Sequence, residues 1–215
     1  MLRILSSVLD AWLPDRCPVC SGEVRVGTRG VCDFCASLHN ERWINVDGVE
    51  RCLAVAPYRQ AIREAIHDLK FAGDSWRGRR LGQWIGEIAG MHGLDRHPAT
   101  LIAVPQSAER SRLRGYNHAV RLAQGAQWSG AQVGFGLVTR MQDQGAQHLR
   151  TRRERQAIAG AFSARRLEGR IVLIDDVVTT GSTLAAVAAA IRANASGPVE
   201  IDACVLAWTP GDAVS

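Results

Sequence analysis

Only one lysine, Lys70, stands among the 26 basic residues of this 215-residue chain; the rest are arginines. The GxxxxGK[ST] lysine and spacing are absent, which excludes a P-loop of the Walker type. Arginine forks match paired phosphate oxygens, although GC-rich codon usage also enriches arginine. The formal charge of +5 permits an anionic partner without demanding one. No apolar run approaches the roughly 18 residues that a spanning helix needs, so no membrane span is expected. Residues 1–13 are apolar at helical spacing (Leu2, Leu5, Val8, Leu9, Trp12). They lack a long apolar core and a small-residue cleavage site, and Asp10 interrupts them. A short docking helix is expected there, rather than a signal peptide, and a cytoplasmic location follows. Internal repeats and low-complexity tracts are missing as well. A hydrophobic content of 47% suffices to fill a core, which excludes disorder over most of the length.

The most informative stretch is 171–184, Ile-Val-Leu-Ile-Asp-Asp-Val-Val-Thr-Thr-Gly-Ser-Thr-Leu. Four apolar residues predict a buried strand, Asp175 and Asp176 stand at its end, and a hydroxyl-rich turn opens a helix. A helix N-terminus offers unpaired N–H groups and a positive dipole end to an anion. Gly181 lets the backbone come close, while Thr179, Thr180, Ser182 and Thr183 add hydroxyl donors. Asp175 and Asp176, when ionised, can accept from two vicinal ribose hydroxyls or hold a ligand-borne magnesium ion. The plainer alternative is an Asp-Asp turn followed by a Ser/Thr helix cap. The whole stretch resembles the phosphoribosyl-pyrophosphate (PRPP) motif of the type I phosphoribosyltransferases.

Four cysteines form two CxxC knuckles, Cys17-Pro-Val-Cys20 and Cys32-Asp-Phe-Cys35, eleven residues apart. Paired thiolates on tight turns chelate one ion, and two such turns complete a tetrahedral four-cysteine zinc site. Disulfides are the alternative in a secreted chain, but nothing in the sequence points to secretion. No histidine or open ligand position is implied, so the zinc should be structural. Cys52 and Cys204 sit in apolar runs and read as buried strand residues.

Between these features the chain alternates strand and helix patterns. Strands are expected at 52–57, 100–104, 133–139, 170–176 and 199–209. Helices are expected at 59–70, 78–90, from about 108 or 117 to 128, and at 182–193. This is an α/β fold with a mostly parallel sheet and helices on both faces, preceded by a small zinc module. The expected division is 1–50 for the N-terminal helix and four-cysteine module, with 36–50 as its linker, and 51–215 for the phosphoribosyltransferase-like domain. Ligands of such sheets bind beyond the carboxyl ends of the strands, where the two acids fall. The loop after strand 100–104 supplies Gln106, Ser107, Arg110, Arg112 and Arg114 for pyrophosphate; a solvated basic helix start is the alternative. The segment 144–162, with His148, Arg150, Arg152, Arg153 and Arg155, suits a lid over a charged substrate, or else a soluble surface loop.

In order, the CxxC knuckles, the run Tyr58…Ile66…Leu69-Lys-Phe-Ala-Gly73, Arg-Gly-Tyr-Asn at 114–117, and Gly-Ala-Phe162 before the Asp-Asp strand resemble the ComF family of competence-associated, phosphoribosyltransferase-like proteins. The match runs from about 14 to 209. Departures are Ser107 where a histidine is usual, His118 where glutamine is, and Ala157 where asparagine is. The resemblance implies a PRPP site with magnesium, structural zinc, and a role in DNA uptake for natural transformation beside a helicase-like partner. Three functions stay open. The first is a PRPP-binding protein of DNA handling; the second is a phosphoribosyltransferase on an unknown acceptor; the third is a PRPP-sensing regulator. In the second, Asp175 and Asp176 would be catalytic, holding ribose near an oxocarbenium-like state while magnesium and arginines stabilise the departing pyrophosphate. Single-stranded DNA suits the basic balance, although no series of stacking aromatics is evident.

Overall fold

Near-continuous apolar runs at 52–56, 171–174 and 201–207 have no polar face to give to water, and all three become interior strands covered on both sides. A computed structural model describes residues 16–24, 31–71, 75–106, 117–141 and 160–210. The three strands are β2 (Arg51–Pro57), β7 (Leu167–Val178) and β8 (Ala195–Trp208). With β1 (Arg42–Ile44), β3 (Ala99–Ala103) and β4 (Ala131–Gly134) they form one six-stranded sheet of order β1-β2-β8-β7-β3-β4. Only β1 is antiparallel to its neighbour. The expected mostly parallel α/β class holds.

Strand periodicity then sorts the helices. Leu53, Val55, Val172, Ile174, Cys204 and Leu206 face α2 (Gln60–Phe71), α3 (Ser75–Met91) and α4 (His118–Ala126). Cys52, Ala54, Ile171, Leu173, Ala203 and Val205 face α5 (Ser182–Ala193) on the other side. The helices α3 and α4 cross at unusually close range. A Cβ added to Gly82 would lie 2.1 Å from the Leu122 carbonyl oxygen, and one on Gly125 would lie 1.9 Å from that of Arg79. Gly78, Gly82 and Gly86 recur every four residues and so share one face of α3.

Cys17, Val19, Val24, Val31 and Cys35 share the apolar core of α2, α3 and α4. Arg77, only 7% exposed, donates from Nη1 to the Pro18 carbonyl inside the first knuckle and reaches Asp68 of α2 at 3.7 Å. Within the expected linker 36–50, β1 pairs Trp43 with Leu53 in the main sheet; three residues are too few to carry a period. The single strand expected at 133–139 is two. It breaks after Gly134, with Gly136 at φ 63°, so that β5 (Val138–Arg140) pairs instead with β6 (Phe162–Ala164).

Midway along β8, level with the first residue of β2, Asp202 is fully buried. Arg51 grips it through two guanidinium nitrogens at 3.1 and 2.7 Å, and Arg170 Nη2 adds a third contact at 2.8 Å. These forks lace β2, β8 and β7 together away from the acids of the signature stretch.

The glycine crossing yields the first test. Gly125→Ala forces α3 and α4 apart and should cost about 1–3 kcal/mol, read as a lowered urea midpoint at unchanged slope. An unshifted midpoint would show that the crossing is looser than the geometry requires.

Candidate functional site

β7 lies between β8 and β3, and its residues Ile171, Val172, Leu173 and Ile174 are 0% exposed. Central burial carries Asp175 and Asp176 to the carboxyl edge of the sheet. There the Val104 N–H donates to the Ile174 carbonyl at 2.9 Å and brings the loop after β3 alongside. After β7, Thr179 and Thr180 are exposed, and Gly181 takes φ 75° as the N-cap of α5. A Cβ at Gly181 would meet Val46 Cγ2 at 2.9 Å, so both the φ and the contact call for glycine. Thr180 Oγ1 donates to Ser182 Oγ at 3.0 Å and accepts the Ser182 N–H at 3.4 Å. No side chain caps α5, and its first turn carries no acid, so the dipole end is left for an anion. Ser182 and Thr183 are half-buried at the same mouth.

The two acids have opposite environments. Asp176 is 7% exposed and faces the α2–α4 side. His118 Nε2–H donates to its Oδ2 at 3.0 Å, and Lys70 Nζ lies 2.5 Å from the same oxygen. Burial alone would raise the Asp176 carboxyl; the His118 hydrogen bond and the Lys70 ammonium outweigh it and hold the group below the usual carboxylate range. Asp175 is half-buried and accepts the Asp176 N–H on Oδ1 at 2.9 Å. Burial pushes its carboxyl well above the ordinary value, and the charge on Asp176 pushes it further. The two neighbouring carboxyls are thus pushed in opposite directions, the kind of split by which paired acids take different roles.

Of the residues singled out from sequence, Asp175, Asp176, Thr179, Thr180, Gly181, Ser182 and Thr183 lie on this one edge. Gln106 joins them through a hydrogen bond from Nε2 to His118 Nδ1 at 2.9 Å. Ser107, Arg110, Arg112 and Arg114 lie outside the described residues, as do Arg150, Arg152 and Arg153 of the expected lid and the helix at 1–13. Two residues of the network were not read as site residues from sequence, Lys70 and His118. Their signals were present: Lys70 is the single lysine, and His118 is one of the three positions that depart from the ComF pattern.

The four knuckle cysteines bring their sulfurs within 4.8 Å of one another. Cys20 Sγ and Cys32 Sγ are 3.6 Å apart. Tetrahedral zinc with bonds of about 2.3 Å would place sulfurs about 3.8 Å apart. Cys32 N–H donates to Cys17 Sγ and Cys35 N–H to Cys32 Sγ, both at 3.4 Å, with Cys32 capping α1 (Asp33–Ala36). The donor set therefore fits zinc, and none of the six cysteines is in a disulfide. Among the described residues, no helix is long and apolar enough to cross a membrane.

No protein-family model matches the chain. It is 32% identical over 161 residues to the DNA utilization protein YhgH of Shigella flexneri, across 71% of this chain and 70% of that protein. The Escherichia coli (strain K12) protein of the same name is 31% identical over the same length and shares. The competence protein F of Haemophilus influenzae is 26% identical over 208 residues, across 82% of this chain and 90% of the relative.

The split acids predict opposite pH dependences. Asp176, lowered on folding, contributes stability above its unfolded pKa of about 4, and loses it as pH falls through its folded value. Asp175, raised on folding, is at its best below about pH 4, and its contribution is lost as pH rises through its folded value. Asp175→Asn should therefore raise the melting temperature at pH 7, by an amount that shrinks to nothing near pH 4. Thermal unfolding across pH checks this, and a lowered melting temperature at neutral pH would refute the assignment.

Proposed function

The chain belongs to the ComF family, and from that membership we propose that it binds PRPP with magnesium at the Asp175–Asp176 edge and acts in DNA uptake and utilisation. One observation carries the reading. Two adjacent acids, one of them bonded to Lys70 and His118, lie where an uncapped helix, led by a left-handed glycine, opens at the carboxyl edge of a parallel sheet. Such an edge suits a sugar with vicinal hydroxyls at one end and a phosphate at the other.

In this reading, Asp175 and Asp176 accept from the ribose hydroxyls, and the turn 179–183 cradles the 5-phosphate with backbone N–H groups and hydroxyls. Gln106, Ser107, Arg110 and Arg114 receive the pyrophosphate together with its magnesium, and Arg150, Arg152 and Arg153 close over it. Zinc at Cys17, Cys20, Cys32 and Cys35 is structural and would supply no chemistry to the sugar; its thiolates staple a segment too small for its own core. The DNA role rests on what the relatives are called, DNA utilization protein and competence protein F. A helicase-like competence partner and single-stranded DNA are the macromolecules this role would bring to the chain.

Calorimetric titration with PRPP and magnesium should show one site per chain, and Asp175→Asn combined with Asp176→Asn should abolish it. Unchanged binding in the double variant would reject the site. Release of pyrophosphate over a panel of bases and amines then separates a transferase from a binder. Native mass spectrometry should find one zinc per chain, lost in Cys32→Ser together with a lower melting temperature; a metal-free wild-type chain of equal stability would reject the zinc centre.

A further inference from the structure

The chain's single lysine sits where the ligand of this reading would have to enter. Lys70 lies in the last turn of α2 with its side chain 25% exposed, and its ammonium reaches Asp176 at the carboxyl end of β7. The oxygen it touches, Oδ2, is also the one that accepts from His118. His118 in turn takes a hydrogen bond from Gln106, the residue that leads into the expected pyrophosphate loop. The candidate ribose acid, the start of the candidate phosphate loop and the only lysine ammonium therefore meet within two hydrogen bonds of one oxygen.

Resting on the function proposed above, we propose that Lys70 is a substrate-positioning residue. It neutralises Asp176 while no ligand is bound and transfers its ammonium to a phosphate oxygen when a phosphorylated pentose enters, freeing Asp176 Oδ2 for a sugar hydroxyl. An ammonium suits this exchange, being a point charge with three donors on a flexible four-carbon stem. A guanidinium fork of the kind that clamps Asp202 would hold both carboxylate oxygens and resist transfer. Asp176 is not stranded by the move, because His118 remains bonded to it and the sugar hydroxyl replaces the lysine.

The exchange also sets selectivity. An anion without hydroxyls draws Lys70 away but leaves Asp176 short of a donor. A neutral pentose finds Asp176 still occupied by Lys70. A ligand that carries both a phosphate and vicinal hydroxyls completes both halves, so its affinity should exceed what either part alone would suggest.

Because Lys70 is the only lysine, amine-selective acylation of the whole chain followed by peptide mass spectrometry reads it directly, with the terminal amine as internal control. Saturating PRPP with magnesium should slow Lys70 labelling several-fold relative to the terminal amine. In parallel titrations, Lys70→Met should weaken PRPP and pyrophosphate about 10- to 100-fold, the worth of a charge-assisted hydrogen bond. Its affinity for ribose should not fall. If PRPP binds the wild-type chain while labelling and the variant's affinity are both unchanged, the lysine role is overturned and the site reading survives. If PRPP fails to bind the wild-type chain, both are overturned. Should Lys70→Met not fold, labelling of the unmodified chain decides the matter alone.

Discussion

A carboxylate that is 7% exposed must find its partners inside the fold, and Asp176 finds them in Lys70 of α2 and His118 of α4. Those helices are separate in sequence and pack on the sheet through their apolar faces, which brings both donors to the carboxyl end of β7. Truncating either donor would leave the other with a buried charge to satisfy, a penalty far larger than the bond itself. Burial raises the carboxyl of the neighbouring Asp175, and the charge on Asp176 raises it further. One buried oxygen thus joins β7, α2 and α4 at this edge.

The sheet holds a second buried acid, and the contrast is instructive. Asp202 is fully buried among arginines: Arg51 takes both its oxygens, and Arg170 adds a further contact while also donating to the Leu94 carbonyl at 2.9 Å. Planar forks with several fixed donors make a rigid clamp that spans three strands. Near the carboxyl end of β7, Asp176 is instead met by a lysine and a histidine, neither of which offers a planar fork. Of the 26 basic residues, the single lysine stands at the acid beside the anion-ready helix mouth, and arginines stand at the acid that only has to hold strands together.

Much of this was legible in the chain, and the gaps have physical causes. The run 171–184 announces its own strand, acids and helix because every determinant is local: apolar residues, then two carboxylates, then a glycine whose φ of 75° few other residues would accept. The α5 bounds expected from periodicity, 182–193, are those observed. The CxxC spacing was equally local, and the sulfurs do gather. Lys70 and His118 escaped because their partner lies over fifty residues away, and helical periodicity records which face is apolar but not what a polar side chain touches. The α3–α4 crossing escaped for a related reason. A glycine every four residues reads as weak helix propensity until the second backbone, with Gly125, is seen lying against it. The pairing of β1 was hidden by its length, and the split of 133–139 by apolar residues that continue through the turn.

The position of the knuckle segment follows from the same edge. A segment this short cannot bury enough surface to fold alone, and its apolar residues, Val19, Val24 and Val31 among them, are spent on the shared core. Arg77 links it to the helices: one guanidinium nitrogen bonds the Pro18 carbonyl between Cys17 and Cys20, and another reaches Asp68. Asp68 is two residues before Lys70, so the last turn of α2 is tied to the cysteine knuckle on one side and to Asp176 on the other. Folding of the knuckle and placement of the lysine are therefore not independent. Whatever fixes the four sulfurs also fixes the carbonyl that Arg77 holds, and with it the start of α3 and the end of α2, where the ammonium is delivered to the acid.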